Sequence, residues 1–269
     1  LFLDQASPRL STPGLTSMGL AERLRELLPS GVCGVALDID GTLTEERRVG
    51  SFRVSLAAVK AIRRLEDNGV RVMLVTGNSA YVVAGFARYI GASGPHVAEN
   101  GCIVYRSGSI RSVCRLSARP AARLVEEELA GLVTPSWQNP CRRHDYAFIS
   151  HEPGIVERVK ALLVERGLDW VKVSHSGYAV HLRPRDASKG RGLLHALRLA
   201  GLSPGCVIAV GDSGMDSEML EAGVVLAAVG NAEEELRRKA HLVLPGRSGE
   251  SVERLVDAVF EAGLVKEKK

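Results

Sequence analysis

The stretch Val35-Ala36-Leu37-Asp38-Ile39-Asp40-Gly41-Thr42-Leu43-Thr44 decides the reading of this chain. A short apolar run leads straight into two carboxylates two residues apart, followed by a glycine. In extended backbone, side chains at i and i+2 share a face, so Asp38 and Asp40 point the same way where a buried strand ends. Two carboxylates that close repel each other unless a cation or a shared proton intervenes. Gly41 lets the backbone come close to a ligand.

Working outward, strand and helix patterns alternate. Val54 to Asp67 reads as an amphipathic helix stopped by Gly69. Arg71 to Val75 is a second apolar strand ending in Thr76-Gly77-Asn78, and a helix near Ala80 to Ile90 follows. Beyond the middle of the chain, Gly190 to Ala200 reads as a helix. Cys206 to Val210 is a third apolar strand ending in Gly211-Asp212, and Ser217 to Ala222 reads as a helix. Strand Val224 to Val229, a helix near Glu233 to Lys239, strand His241 to Leu244 and helix Val252 to Ala262 complete the pattern. Near-continuous apolar strands separated by helices predict an α/β fold, a Rossmann-like parallel sheet covered on both faces. Such sheets bind ligands beyond the carboxyl ends of their strands. Asp38/Asp40, Thr76/Asn78 and Asp212/Asp216 all fall at that end of three different strands.

Residues 106–183 have a different texture. Half-buried strand patterns at Ile110–Leu116, Tyr146–Ser150, Trp170–Ser174 and Tyr178–Arg183 enclose two helix patterns, near 120–131 and 154–166, with a hairpin turn at Ser176-Gly177. This predicts a small α+β domain inserted into a core formed by 18–105 and 184–269. Residues 1–17, before Met18, read as a loose tail or a mis-assigned start.

Composition excludes several classes. The chain has 269 residues, of which 45% are hydrophobic and 25% charged, enough apolar material to exclude a mainly disordered chain. The net charge of +4 is scattered and forms no basic stripe, which argues against a nucleic-acid partner. No apolar run reaches the roughly 18 residues of a membrane span. Five cysteines, an odd number with no CxxC pair, predict neither a disulfide framework nor a zinc site. Cys33, Cys102 and Cys206 read as buried, reduced thiols, which favours a cytoplasmic protein. Arginine exceeds lysine, which fits a thermophile or an arginine-rich genome equally. Whether the chain is a monomer or a homodimer stays open.

Four acids with no histidine or cysteine beside them suit a hard cation, Mg²⁺ rather than Zn²⁺. Mg²⁺ held by carboxylates implies a phosphate, and therefore a cation for the same site. Lys189 can supply it from the first turn of a helix, where the macrodipole disfavours a lysine without a function. Backbone N–H groups at that helix start, with Thr76 and Gly77, add donors for an anion. The chemistry that follows is attack of Asp38 on phosphorus to give an aspartyl-phosphate, with Asp40 protonating the leaving oxygen and then deprotonating water. His175, His181 and Arg183 can meet substrate from the inserted domain. Asn78 and Asn100 read as turn residues, and Trp137 and Trp170 as core of the insert.

These motifs resemble those of the haloacid-dehalogenase (HAD) phosphatase superfamily. Asp38-Ile-Asp-Gly-Thr-Leu-Thr resembles its first motif, Thr76 its second, Lys189 in Ala187-Ser-Lys-Gly its third, and Gly211-Asp-Ser-Gly-Met-Asp its fourth. The fourth departs from many relatives in carrying Met215 before the second acid. An insert between the second and third motifs, preceded by Ala98-Glu-Asn-Gly, is similar to the type IIB cap of the Cof-like branch, and the whole looks most like the archaeal phosphoglycolate phosphatase family. The resemblance implies Mg²⁺ on Asp38 and the Asp40 carbonyl, with Asp212 and Asp216 as further groups around it, and Lys189 on the phosphate of a small phosphorylated metabolite. Phosphoglycolate is the implied substrate. A sugar-phosphate phosphatase or phosphomutase is the alternative within the chemistry, and a receiver-like phospho-signalling module the alternative outside it.

Overall fold

A computed structural model describes residues 17–45 and 52–266. The tail expected over 1–17 lies outside the described residues except for its last position. In chain order the elements are α1 (Ser17–Leu27), β1 (Gly34–Leu37), α2 (Leu56–Asp67), β2 (Arg71–Leu74), α3 (Ala80–Ile90), β3 (His96–Ala98), β4 (Ile103–Arg106), β5 (Ser109–Ser112), α4 (Arg119–Glu128) and β6 (Thr134–Pro135). They continue with β7 (Tyr146–Ile149), α5 (Ile155–Glu165), β8 (Val171–His175), β9 (Val180–Pro184), α6 (Lys189–Ala200), β10 (Val207–Gly211), β11 (Val225–Ala228), α7 (Glu234–Lys239), β12 (Leu242–Val243) and α8 (Ser248–Glu261).

The core is the α/β fold expected: a parallel sheet in the order β12-β11-β10-β1-β2. β1, β10 and β11 are buried along their whole length, as strands covered on both faces must be. The chain runs from β1 outward to β2 and later returns to β10 on the other side of β1. The switch point of the sheet therefore lies between β1 and β10. Leu37 is in register with Val210 and the Asp38 N–H donates to the Val210 carbonyl at 3.0 Å, which sets the ends of these two strands side by side.

Local rules account for the helix limits. Ser55 caps α2 by accepting the Ala58 N–H, and Ala58, Ala61, Ile62 and Leu65 form its buried face. Val54, expected on that face, instead pairs with Thr44 in an isolated bridge. The helix expected over 217–222 is a 3-10 stretch that begins earlier, Gly214–Ala222, because Ser213 and Asp216 form a reciprocal capping box at its start.

The inserted region has its own apolar centre, in which Phe148, Val125, Val159, Leu163 and Leu182 are buried by the antiparallel sheet β6-β7-β9-β8 and by α4 and α5. The expected boundary at 106 falls inside the β4–β5 hairpin. Ile103 and Val104 belong to the apolar centre of the parallel sheet and Ile110 packs against it, while the second centre begins at Ala118. Among the described residues, no helix is long and apolar enough to cross a membrane.

The cysteine reading is corrected. Cys33 is paired with Cys206, 173 positions away, and Cys102 with Cys114. Linear spacing could not show this, because tertiary pairing makes the pairs: Gly34 is opposite Val207, so the residues preceding β1 and β10 meet, and beyond the β4–β5 hairpin the Cys102 carbonyl accepts from both the Val113 and the Cys114 N–H. Cys141 is free and exposed.

His96 is buried at the start of β3, and its Nδ1 accepts the Leu74 N–H at 3.1 Å. Burial pushes its pKa down to about 4, so the folded protein keeps the ring neutral while the unfolded chain protonates near pH 6.5. Its effect on stability is therefore nil above pH 6.5 and grows as pH falls to 4. We expect this residue to remove about 3 kcal/mol across that window. Urea unfolding at pH 7 and pH 4 checks it: His96→Asn, which retains an acceptor for Leu74, should lose correspondingly less stability than the unaltered protein.

Candidate active site

Asp38 follows β1, Thr76 follows β2, Asp212 follows β10, and Lys189 opens α6. The last is brought in by a close approach: Gly101, at φ +99°, lies so near Ser188 that a Cβ would stand 1.8 Å from the Ser188 carbonyl oxygen. Ser188 then caps α6 by accepting the Arg191 N–H, and Lys189 turns inward.

The Lys189 Nζ donates to Asp38 Oδ1 at 2.8 Å and to Asp216 Oδ1 at 2.5 Å, with all three side chains buried. Asp216 Oδ2 accepts from the Asp212 N–H, the Ser213 N–H and the Ser213 hydroxyl at 2.9–3.0 Å. Both of its oxygens are thus engaged in holding Lys189 and the Asp212 turn. Thr42 donates to Asp212 at 3.3 Å. Gly41, at φ +92°, would place a Cβ 2.3 Å from Asp212 Oδ2, so no other residue fits between the first and fourth motifs.

Buried charges crowd together here. Burial pushes the Asp38 carboxyl up to about 7 even though Lys189 lowers it, and the neighbouring Asp216 and Asp40 add to the rise. Burial would lower the Lys189 pKa, but Asp216 and Asp38 together raise it above its ordinary value, so it is a firm cation. Single oxygens of Asp38, Asp212 and Asp216 lie within 4.8 Å of one another. Clustered carboxylates without imidazole or thiolate fit a hard divalent cation.

Thr76 is buried, and its hydroxyl oxygen accepts from the Asn78 N–H at 3.2 Å and the Asn78 side-chain amide at 3.1 Å. Asn78 also donates to Asp40 Oδ2 at 2.7 Å and accepts from Gln138 Nε2 at 2.7 Å, while Gln138 Oε1 takes the Ser79 N–H at the start of α3. Asn78 is therefore more than the turn residue expected: it orients Asp40. Gln138 was not singled out in the sequence, and nothing in its local pattern distinguishes it, because its partners lie about 60 positions away.

A cavity of about 540 Å³ opens over these groups, walled by Asp38, Asp40, Thr76, Gly77 and Lys189 below and by Gln138, Arg142 and His181 from the insert. Of the three insert residues singled out in the sequence, His181 lines this cavity. His175 is exposed beside the β8–β9 turn, accepting the Gly177 N–H. Arg183 is buried away from the cavity, its Nη2 donating to both oxygens of Glu218. Trp137, expected in the core of the insert, is 78% exposed and stands at the cavity wall. Trp170 packs against the apolar centre of the insert.

Asn100 departs furthest from its reading as a turn residue. It adopts the left-handed backbone of a turn (φ 52°), yet it is fully buried and donates to Asp145 at 2.5 Å. Asp145 also bonds His181 at 2.9 Å and Arg142 at 3.1 Å. Burial alone would raise the Asp145 pKa, but His181, Arg142 and Asn100 hold it below the ordinary carboxylate range. Next to Asn100, the buried Glu99 carboxylate takes the N–H groups of Arg143, His144 and Asp145, tying core to insert.

This assembly is that of a haloacid dehalogenase-like hydrolase. The family's sequence model matches residues 35–129 and 145–255, and the chain belongs to that family. A phosphoglycolate phosphatase of Staphylothermus marinus is 40% identical over 233 residues, covering 84% of this chain and 97% of its own length. One from Metallosphaera sedula is 41% identical over 225 residues, covering 83% of this chain and 96% of its own. Among solved structures, protein 0175 of Thermoplasma acidophilum superposes with a TM-score of 0.74 at 25% identity, over 87% of this chain and 99% of that one. The receiver-like alternative, which would carry no inserted domain, is set aside.

Asp216→Ala should cost on the order of 3 kcal/mol, because it leaves a buried ammonium with one carboxylate in place of two and removes the cap of the Gly214–Ala222 stretch. Denaturant unfolding measures it. A loss below about 1 kcal/mol, the range of an exposed pair, would contradict the role given to Asp216.

Proposed function

We propose that this protein hydrolyses 2-phosphoglycolate to glycolate and phosphate through an aspartyl-phosphate on Asp38. The observation that carries the reading is the meeting of Asp38, Asp212, Asp216 and Lys189 where β1 and β10 end. The substrate comes from the likeness to relatives named phosphoglycolate phosphatase.

Asp38, the Asp40 carbonyl and Asp212 would hold Mg²⁺, with Asp216 behind them fixing the Asp212 turn. When bound, the ion would supply positive charge that helps neutralise carboxylate and phosphate together. Lys189, beside Asp38, binds the phosphate, and Thr76 and the Gly77 N–H add neutral donors. An Asp38 oxygen forms a bond to phosphorus as the P–O bond to glycolate breaks. Asp40, oriented by Asn78, gives its proton to the departing oxygen. It then takes a proton from a water molecule, which attacks phosphorus and releases phosphate from Asp38. The insert closes the cavity from above and selects the group attached to phosphate. A cytoplasmic location goes with this metabolic role, and the two cysteine pairs accord with it if the host is a hyperthermophile, where intracellular disulfides occur.

Asp38→Asn should abolish phosphate release from both phosphoglycolate and an aryl phosphate, with the circular dichroism spectrum unchanged; residual activity near that of the unaltered enzyme would remove the nucleophile. EDTA should stop turnover and added Mg²⁺ restore it. Product analysis separates the alternatives, because a mutase would yield a phosphorylated isomer in place of free phosphate.

A further inference from the structure

The proposed reaction leaves one buried cation in the cavity without a task. We infer that Arg142 is the specificity residue for the carboxylate of the substrate, an inference that rests on the phosphoglycolate reading. Among the described residues lining the cavity, only Lys189 and Arg142 carry an ammonium or guanidinium group. Lys189 is committed to Asp38 and Asp216, at the phosphate end. Arg142 comes from the insert and is 3% exposed.

Its hydrogen bonds show how it is poised. Nη1 donates to Asp145 Oδ1 at 3.1 Å, whereas the buried Nε has no partner. The second Asp145 oxygen is taken by Asn100 at 2.5 Å and His181 shares the first at 2.9 Å, so Asp145 clamps one corner of the fork. Glu99, the other acid nearby, is occupied by three backbone N–H groups of 143–145. Nε is buried without a partner and Nη2 donates to no described residue, so the guanidinium of a cavity-lining arginine keeps donor capacity beyond Asp145, which an anion such as a carboxylate would satisfy.

The position suits a short acid. Asn100 Nδ2 and His181 Cε1 lie 3.0 and 3.3 Å from where a Cβ on Gly77 would stand. The network that holds Arg142 therefore abuts the backbone beside Thr76, at the phosphate end. A neutral sugar at this place would leave the N–H groups that Asp145 does not engage without an anionic acceptor.

The test compares kcat/KM for 2-phosphoglycolate and for ethyl phosphate, which matches its chain length and lacks the carboxylate, using the Mg²⁺-loaded enzyme. The unaltered enzyme should favour phosphoglycolate, and Arg142→Gln should reduce that preference about 100-fold, chiefly through KM. Arg142→Lys, which retains the charge without the fork, should fall between and serves in its place if Arg142→Gln does not fold. Preference for phosphoglycolate that survives in the variants overturns the inference alone. An unaltered enzyme that hydrolyses ethyl phosphate without favouring phosphoglycolate overturns the substrate reading and the inference together.

Discussion

An ammonium buried between two carboxylates, Lys189 between Asp38 and Asp216, constrains everything around it. Burying those charges is tolerable only if each finds its partner in good geometry. That requirement places α6 against the end of β3 through Gly101, closes the Ser213–Asp216 capping box, and leaves Asp38 held from one side only. The clustering of Asp38, Asp212 and Asp216 without imidazole or thiolate is what makes the site fit for a divalent cation. In the proposed mechanism stability and chemistry depend on the same atoms: Asp216 spends both oxygens on keeping Lys189 and Asp212 in place, which leaves Asp38 as the proposed nucleophile.

A second polar layer joins the two units. Glu99 gathers three N–H groups of the 143–145 segment, Gln138 bridges Asn78 to the first turn of α3, and Asp145 collects Asn100, Arg142 and His181. These contacts have low exposure and nearly all cross from core to insert. The insert is therefore set over the site by directed hydrogen bonds, which hold a fixed geometry better than an apolar patch would. Asn78 links this layer to Asp40, and the Asn100 N–H links it to the Thr76 carbonyl.

Much of the core was legible in sequence because its signals are local. Apolar runs ending in Asp38, Thr76 and Asp212 announce strands whose ends bind ligand, and Gly69 marks the end of α2 by chemistry that reaches only a few residues. The insert was less legible. β4 pairs with both β3 and β5, and its apolar residues pack with the parallel sheet, so texture alone put the boundary at 106 when packing divides the units later. His175 and Arg183 looked much like His181 in the strand pattern, yet only His181 faces the cavity, since register and side-chain direction are decided across β7, β8 and β9.

By itself the sequence determined the kind of chemistry: hard acids, one lysine and glycines at strand ends define a cation-assisted phosphoryl site wherever they meet. Only the tertiary structure decided which groups serve which. It paired Cys33 with Cys206 by the register of two strands 173 positions apart, turned Asn78 and Asn100 from turn formers into orienting groups, and left the Nε of Arg142 without a partner. The reason is physical: hydrogen bonding and burial depend on distance in space, and no spacing along the chain reports who stands opposite whom across a cavity.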